Sequence, residues 1–555
     1  KKSPTMGNYL SILIPIGSVI VGLSLIAGLF LCLAPSWYEK KIRGNALEAD
    51  EFMNLKPSRW EALQFLLLNR FSVGKHKKDT TTAYELALDD SEHVTGLKIS
   101  RRSNSDDDQE RGKIMSVPPS MSSSPSPIVI GTIRMGFGHH RIAYATCSWS
   151  MAEASENRET VFHDLLNVKS EEADLIRDMD KLYSMGSRFA SEFGGAAEKL
   201  WGVLTKAMGP NGLRVPCQTA EHLIPILKGI PKDSPIIATH CFVAMAAVAA
   251  GFTNVINLVI DNHAQWFVLC PKCLNLVQGP SNYHSFLRMG VPPKLVALAG
   301  HWIPKDLVDN IPEDCQRRIT RAVNHKPLRI LAPVGGAGAQ KTYVCAFIKA
   351  LTPMLKDGTV QILLNAGDHT HMIEAFEKTL AECDLPFNRI DTIDGVREFQ
   401  SKLTESPDNE PEKSVTLFAF PNYFPAVATT DIVSRVSDVL VAKPSELAFY
   451  PVPKINVRRV GDHEAYSAIR SSECGDGTFE CRTVGDAMEY IELMTSENGE
   501  LLTMINEKII ANNTIGIYDG CKNAVKIALE RSTNTEIESI EIERTNNNEI
   551  KILNE

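Results

Sequence analysis

The chain lacks any excess of positive charge: 58 Lys and Arg stand against 67 Asp and Glu, a formal net charge of -9. Nothing in that balance draws a polyanion in bulk, which excludes nucleic acid as a partner. Regular cysteine spacing is missing too, and 12 cysteines without a framework pattern read as single buried thiols in a reducing compartment. Cys270-Pro271-Lys272-Cys273 has no second pair at structural-zinc spacing and reads as incidental. The glycine-rich turn Val334 to Lys341 lacks the G-K-[ST] ending of a Walker motif, which disfavours ATP hydrolysis. Gly131 to Arg141 is not a G-x-G-x-x-G turn, and no acidic residue follows the next strand in the dinucleotide manner, which sets NAD aside.

What the chain does have is length: 555 residues at 44% hydrophobic content suffice for two or three domains with their own cores. Tyr9 to Leu33 carries no charge, and at about 1.5 Å per residue it exceeds a bilayer core of about 30 Å. A transmembrane helix is expected over 9–33, after a short tail at 1–8, with Trp37 and Tyr38 as interface anchors. Lys40, Lys41 and Arg43 beyond it, against Lys1 and Lys2 before it, favour a cytosolic body, the alternatives being a Golgi-type lumenal orientation or a plastid. Ser18/Gly22 and Ser24/Gly28 have the small-x-x-x-small spacing that permits a homodimer through this helix. A juxtamembrane segment at 34–73 includes the apolar stretch WEALQFLLLNRF, and 74–126 reads as a disordered Ser/Pro/charged stalk.

At Pro127 the texture changes to IVIGTI, a buried parallel strand by its unbroken apolar run. SPIIATH, NVINLVID and LNLVQGP repeat the strand signal with helical stretches between them, and LRILAPVGGAG, VQILLNAGD, SVTLFAF and DVLVAKP restart it. The predicted class is α/β, with two Rossmann-like domains at 127–303 and 304–530 facing a cleft and a polar tail at 531–555. Ligands of such sheets sit at the carboxyl ends of the strands, which selects four clusters. The first is Gly136, Gly138, His139 and His140, where an imidazole at a helix start can exchange protons near neutral pH. In the second, Asp261 stands two residues from His263 and close to Trp266. The third, Gly335, Gly336 and Gly338, can hold phosphate on backbone N–H groups. The fourth is Lys443, Ser445 and Glu446 with Asp462, His463 and Glu464, where a cation can meet phosphate and carboxylates can accept from sugar hydroxyls.

The order of these motifs resembles the GT-B glycosyltransferases, in particular the family 28 group of the lipid-linked N-acetylglucosaminyltransferase and monogalactosyldiacylglycerol synthase. Gly136, Gly138 and His139 are similar to its G-G-G-H turn, and Asp261, His263 and Trp266 to its acceptor-domain signature. Gly335, Gly336 and Gly338 resemble its first donor-domain turn, and Gly461 to Glu464 its sugar-nucleotide segment. The strings R-M-G-F-G-H, G-G-A-G-A-Q-K and K-P-S-E-L-A-F-Y-P-V-P are also similar to an uncharacterised bacterial group. The resemblance implies an inverting hexosyltransferase that needs no metal and no cofactor and takes a nucleotide-sugar as substrate with a lipid acceptor at the bilayer. His139 or His263 would be the base, with Asp261 beside them, and the donor helix would bind the pyrophosphate. Ser445 and Glu446 stand where the family carries glycines, and Pro451-Val452-Pro453 follows closely, so a shortened donor helix is expected. The alternatives are a catalytically silent GT-B-like binding module and, third, a nucleotide-sugar epimerase.

Overall fold

Ile128–Thr132 (β3) is buried along its whole length, as a strand covered on both faces must be. The computed structural model describes residues 25–38, 58–73, 76, 78–79, 81–103, 115, 125–154, 158–181, 213–336, 338–461, 464–496, 499–533, 541–544 and 550–553. Around β3, the first sheet adds Leu86–Asp90 (β1), Lys98–Arg102 (β2), Thr160–Asp164 (β4), Ile236–Ala238 (β5), Val255–Leu258 (β6), Leu274–Val277 (β7) and Val296–Leu298 (β8). Their order is β1-β2-β4-β3-β5-β6-β7-β8, parallel throughout except for the β1/β2 pair.

The second sheet is parallel throughout. It comprises Leu328–Pro333 (β9), Val360–Gly367 (β10), Phe387–Ile390 (β11), Val415–Ala419 (β12), Val439–Ala442 (β13) and Lys454–Asn456 (β14), in the order β11-β12-β10-β9-β13-β14.

In both sheets the chain leaves its first parallel strand to one side and later returns to the other, β3 lying between β4 and β5 and β9 between β10 and β13. Such a reversal opens a crevice at the carboxyl ends of the two strands concerned. Gly138–Glu153 (α2) follows β3 and Cys241–Ala249 (α4) follows β5. The helix α4 is rich in alanine and packs close, so that a Cβ on Gly131 of β3 would stand 2.5 Å from Val243 Cγ1. Lys341–Asp357 (α6), Tyr423–Ser434 (α7) and Ala465–Cys474 (α8) flank the second sheet and its loops.

The stretch read as a stalk contributes structure at 81–103. Leu86, Ala87 and Leu97 are fully buried, so the few apolar residues in a polar stretch suffice to add β1 and β2 to the sheet, with β2 pairing to β4 through Lys98 and Ile99. Window-averaged composition hides such a hairpin. The helix closing the second half, Gly520–Thr533 (α9), crosses back to the first: Asn523 Nδ2 donates to Ala299 O at 2.8 Å and Asn254 Nδ2 to Ala528 O at 2.9 Å. In the polar tail, Glu541–Arg544 (β15) and Ile550–Leu553 (β16) pair antiparallel.

Of the predicted span, residues 9–24 lie outside the described residues, while 25–38 are helical. Among the described residues no helix is long and apolar enough to cross a membrane. One face of the 25–38 helix, at Ala34 and Tyr38, packs on Ala62 of Arg59–Val73 (α1). The guanidinium of Arg214, on Arg214–Glu221 (α3), lies 5.6 Å from the Tyr38 ring. Leu25, Leu29 and Phe30 on the same helix are exposed.

Candidate functional site

The two crevices face one another because the loop after β3 docks into the second domain. Gly136 turns the chain at φ +81°, a conformation open to glycine, and sends Phe137 inward. The Phe137 ring is buried between His369 and Tyr423, at centroid distances of 5.4 and 5.2 Å, and the Arg134 guanidinium lies over Tyr423 at 3.7 Å. On the other side, a Cβ on Gly336 would stand 2.2 Å from Phe137 N, so the two glycine loops touch backbone to backbone. His369 Nε2 donates to Gly335 O at 3.1 Å and His371 Nε2 to Gly338 O at 2.9 Å, fixing the donor-side loop. Gly136, Gly138, Gly335, Gly336 and Gly338 thus belong to one interdomain locus.

His139 enters the crevice between β3 and β5. Its Nδ1 lies 2.6 Å from Thr239 O, and because a carbonyl only accepts, Nδ1 carries the proton and Nε2 presents a lone pair. Burial pulls its pKa below the usual histidine value, against the opposing pull of the Thr239 carbonyl and Asp261. Its neighbour is His240, 4.4 Å away between ring centroids, whose Nδ1 accepts from Phe242 N at 3.2 Å and caps α4. His240 therefore carries its proton on Nε2, and burial followed by His139 drives its pKa well below the usual value. The pair places one neutral acceptor and one neutral donor side by side. His140 points away from this locus: its Nε2 lies 3.1 Å from Asp164 Oδ2 amid the rings of Tyr144, Phe162 and Tyr423. Burial opposes the Asp164 charge, but His140 outweighs it and holds the Asp164 carboxyl below its ordinary range.

Across the crevice lies a buried ionic cluster. Arg141 Nη1 donates to Asp431 Oδ1 at 2.8 Å and to Val427 O at 3.2 Å, and Tyr450 OH donates to the same Asp431 oxygen at 2.6 Å. Burial works against the Arg141 charge, yet Tyr450, Asp431 and Glu446 together hold its pKa above the ordinary value. Asp431 is pushed up by burial, which outweighs Arg141 and Tyr450. After β13 the expected donor helix is a single turn, Glu446–Phe449, with no side-chain cap from Ser445. Phe449 and Tyr450 are buried beneath it. Glu446 reaches α2, its Oε1 3.6 Å from Arg141 Nε. Lys443 Nζ donates to Glu464 Oε1, and Glu464 Oε2 accepts from Val460 N at 2.7 Å. Both Glu464 oxygens are therefore engaged within the protein, holding Lys443 and the 460–461 turn. Asp462 and His463 lie outside the described residues.

The second predicted cluster stands beside the locus, against α8. His263 Nδ1 pairs with Gln265 Nε2 at 2.6 Å, and its ring stacks on Tyr466 at 4.2 Å. Asn262 Nδ2 donates to Tyr466 O at 3.3 Å, so this loop too bridges the domains. Asp261 has an electrostatic influence on His139. Trp266 is buried in the core of the first domain. Cys270 and Cys273 are free buried thiols, and burial raises the Cys270 pKa well above the usual value. Among the described residues no group of three or more His, Cys, Asp or Glu is placed to hold a metal ion.

Thr239, His240, Arg141 and Asp431 were not singled out in the sequence, whereas Tyr450, with Phe449, was expected to block the donor pocket if the chain were a silent module. Thr239 and His240 end the strand signal SPIIATH, and the rule that selected the other clusters selects them as well. The remainder had no local signal.

Two family models divide the chain. Residues 67–288 match a Domain of unknown function (DUF6937), and residues 291–529 match a Domain of unknown function (DUF6938). No curated protein matches the chain. Among solved structures, a UDP-N-acetylglucosamine 2-epimerase is similar at 9% identity and TM-score 0.41, over 75% of this chain and 98% of that one. The UDP-GlcNAc 2-epimerase of Neisseria meningitidis, bound to UDP-GlcNAc, is similar at 12% identity and TM-score 0.38, over 73% and 99%. Anabaena HepE in complex with UDP and glucose is similar at 10% identity and TM-score 0.36, over 74% and 99%. The architecture of this chain rests on its own strand orders.

Proposed function

We propose that the chain is a GT-B-type hexosyltransferase that takes a nucleoside-diphosphate sugar between its domains and passes the sugar, with inversion, to a hydroxyl of a lipid or other membrane-proximal acceptor. One observation carries this reading: His139, with its Nδ1 proton committed to Thr239 O, presents an unprotonated Nε2 at a crevice that faces the glycine loop of the other domain. In the step, Nε2 accepts the acceptor's hydroxyl proton while that oxygen bonds to the anomeric carbon. The bond from that carbon to the diphosphate oxygen breaks, and its electron pair leaves with the diphosphate. Lys443 and the start of α6, whose N-cap Gln340 gives no side-chain cap, are the groups that would meet the diphosphate. Asp261 would steady the charge gained by His139, and His263 would line the acceptor side. The charge-free run 9–33 and the exposed apolar face of the 25–38 helix support placing the acceptor at a bilayer.

The test is thermal stabilisation of the full chain by UDP, GDP and their sugar conjugates. A ligand at a hundred times its dissociation constant adds about 2.7 kcal/mol of stability, and the shift should vanish in Lys443→Ala. No shift with any nucleotide would overturn the reading. A second reading, a binding module without turnover, is favoured by the engagement of Lys443 with Glu464 and by the turn that buries Phe449 and Tyr450. It predicts a nucleotide shift with no sugar transfer to any acceptor. Conversion of the nucleotide-sugar without an acceptor would instead indicate an epimerase.

A further inference from the structure

The second domain has a cavity of about 270 Å³ at the amino-terminal ends of its sheet. Leu328, the first residue of β9, lines it, whereas Pro333 at the other end of that strand leads to the glycine loop of the crevice. At about 3.3 Å per residue the two places lie roughly 17 Å apart, at opposite ends of the sheet. Three helices end at the cavity wall: Ile311–Val323 (α5), α6 and Val484–Met494, with C-caps Asn324, Gly358 and Thr495. A helix C-terminus carries partial negative charge, and the last of the three has no basic residue in its final turn to offset it. The hydroxyls that line the cavity are already committed as donors. Thr359 Oγ1 donates to Asp357 Oδ1 at 2.6 Å, Thr495 Oγ1 to Ile491 O at 3.0 Å and Ser496 Oγ to Leu493 O at 2.9 Å. A hydroxyl has one proton, so each of these oxygens has only lone pairs left for a ligand. The charged lining groups are matched within the protein: Asp438 accepts from Arg321 Nε at 3.2 Å and from Arg329 N at 2.9 Å, and Lys326 Nζ pairs with Asp408 Oδ1 at 2.7 Å. Leu328, Met494 and Leu502 are buried and form an apolar floor.

We propose that this cavity binds a small organic cation, an amine with a short apolar body. Its ammonium group donates to the oxygens of Thr359, Thr495 and Ser496 beside the negative helix ends, and its hydrocarbon lies on Leu328, Met494 and Leu502. A carboxylate of the same size would meet acceptors at negative dipole ends, and a neutral alcohol would bring one donor in place of an ammonium's three. The volume lies under the roughly 300–1,000 Å³ of sites for drug-sized ligands, which limits the occupant to a small molecule. The site is distinct from the interdomain crevice and does not rest on the sugar-transfer reading.

The experiment is calorimetric titration of the full chain with n-butylamine, 1-butanol and butyrate, which share a carbon skeleton and differ in charge, at low ionic strength. Butylamine should bind at least about tenfold more tightly than either of the others. Thr359→Val, which keeps the shape of the wall and removes one acceptor, should weaken butylamine about tenfold. Thr359 is exposed at the rim, so Thr359→Trp should fill the cavity and abolish butylamine binding with the melting temperature of the parent retained. Should the bulky variant lose stability, Thr359→Val alone decides. No binding of butylamine, butanol or butyrate binding as tightly as the amine, or an amine affinity unchanged in Thr359→Val, overturns the proposal. None of these outcomes requires a nucleotide to bind, so a failure of UDP to stabilise the chain defeats the sugar-transfer reading and leaves the amine comparison intact.

Discussion

Replacing Arg141 by Met tests the buried cluster that joins the domains. The substitution keeps most of the side-chain volume but removes the partner 2.8 Å from Asp431, leaving that carboxylate with the Tyr450 hydroxyl at 2.6 Å. Breaking one side of a buried pair costs about 3–5 kcal/mol, because the remaining charge is desolvated and unpaired. At about 2–4 °C per kcal/mol for domains of this size, the melting temperature of the full chain should fall by roughly 6–20 °C. The loss should also depend on pH. Burial already raises the Asp431 pKa with Arg141 present, and it rises further without the guanidinium. A raised carboxyl favours the protonated folded state, so its contribution is complete below the unfolded value near 3.9 and is lost as pH rises through the folded pKa. The penalty of Arg141→Met should therefore be smallest in acid and grow toward neutral pH, and Asp431→Asn in the same chain should recover much of it. Urea midpoints followed by circular dichroism at pH 5 and pH 8 measure both effects. A loss below about 1 kcal/mol, or Arg141→Met and Asp431→Asn effects that simply add, would refute the assignment of this cluster as a coupled buried pair.

His139→Asn should reduce transfer by about 10² to 10⁴ while leaving nucleotide binding in place, and since burial lowers the parent His139 pKa, activity should persist below pH 6.5 before it falls. Gly336→Ala would drive a Cβ to 2.2 Å from Phe137 N, so the domains should part locally; faster hydrogen exchange over 134–138 checks this, and unchanged protection would count against the close approach. His163 is buried with a pKa of about 4, so between pH 6.5 and 4 the unfolded chain takes up a proton that the folded chain does not. Stability should decline by roughly 3 kcal/mol across that window, and His163→Asn should flatten the decline in acid denaturation. Cys270 and Cys273 should resist alkylation in the native chain and react once urea exposes them, because burial raises the Cys270 pKa and both are shielded.

The α/β alternation was legible in the sequence because unbroken runs such as IVIGTI and VQILLNAG can be buried only as covered parallel strands, and glycines after them mark where strands end. The same rule of strand ends brought Gly136, His139, Gly335 and Lys443 into view, and it applies equally to Thr239 and His240. The hairpin at 86–102 was illegible, since its few buried side chains are diluted in a polar window. The shortened donor helix was expected from Ser445, Glu446 and the prolines that follow, and a single turn stands there.

What the sequence by itself determined is local: periodicity, chain reversals and the chemical types available at each strand end follow from residues close together in the chain. Which of those groups meet is decided by tertiary structure alone. Arg141 and Asp431 are 290 positions apart, and nothing in the local sequence pairs them; Lys443 and Glu464 fall in one cluster by sequence, but that they close on each other is seen only in the fold. The docking of Phe137 against His369 and Tyr423 turns two separate crevices into one locus, while His139 turns to Thr239 and His240 and its neighbour His140 to Asp164. Burial then sets the protonation of these groups, because desolvation acts only after distant surfaces have closed over them.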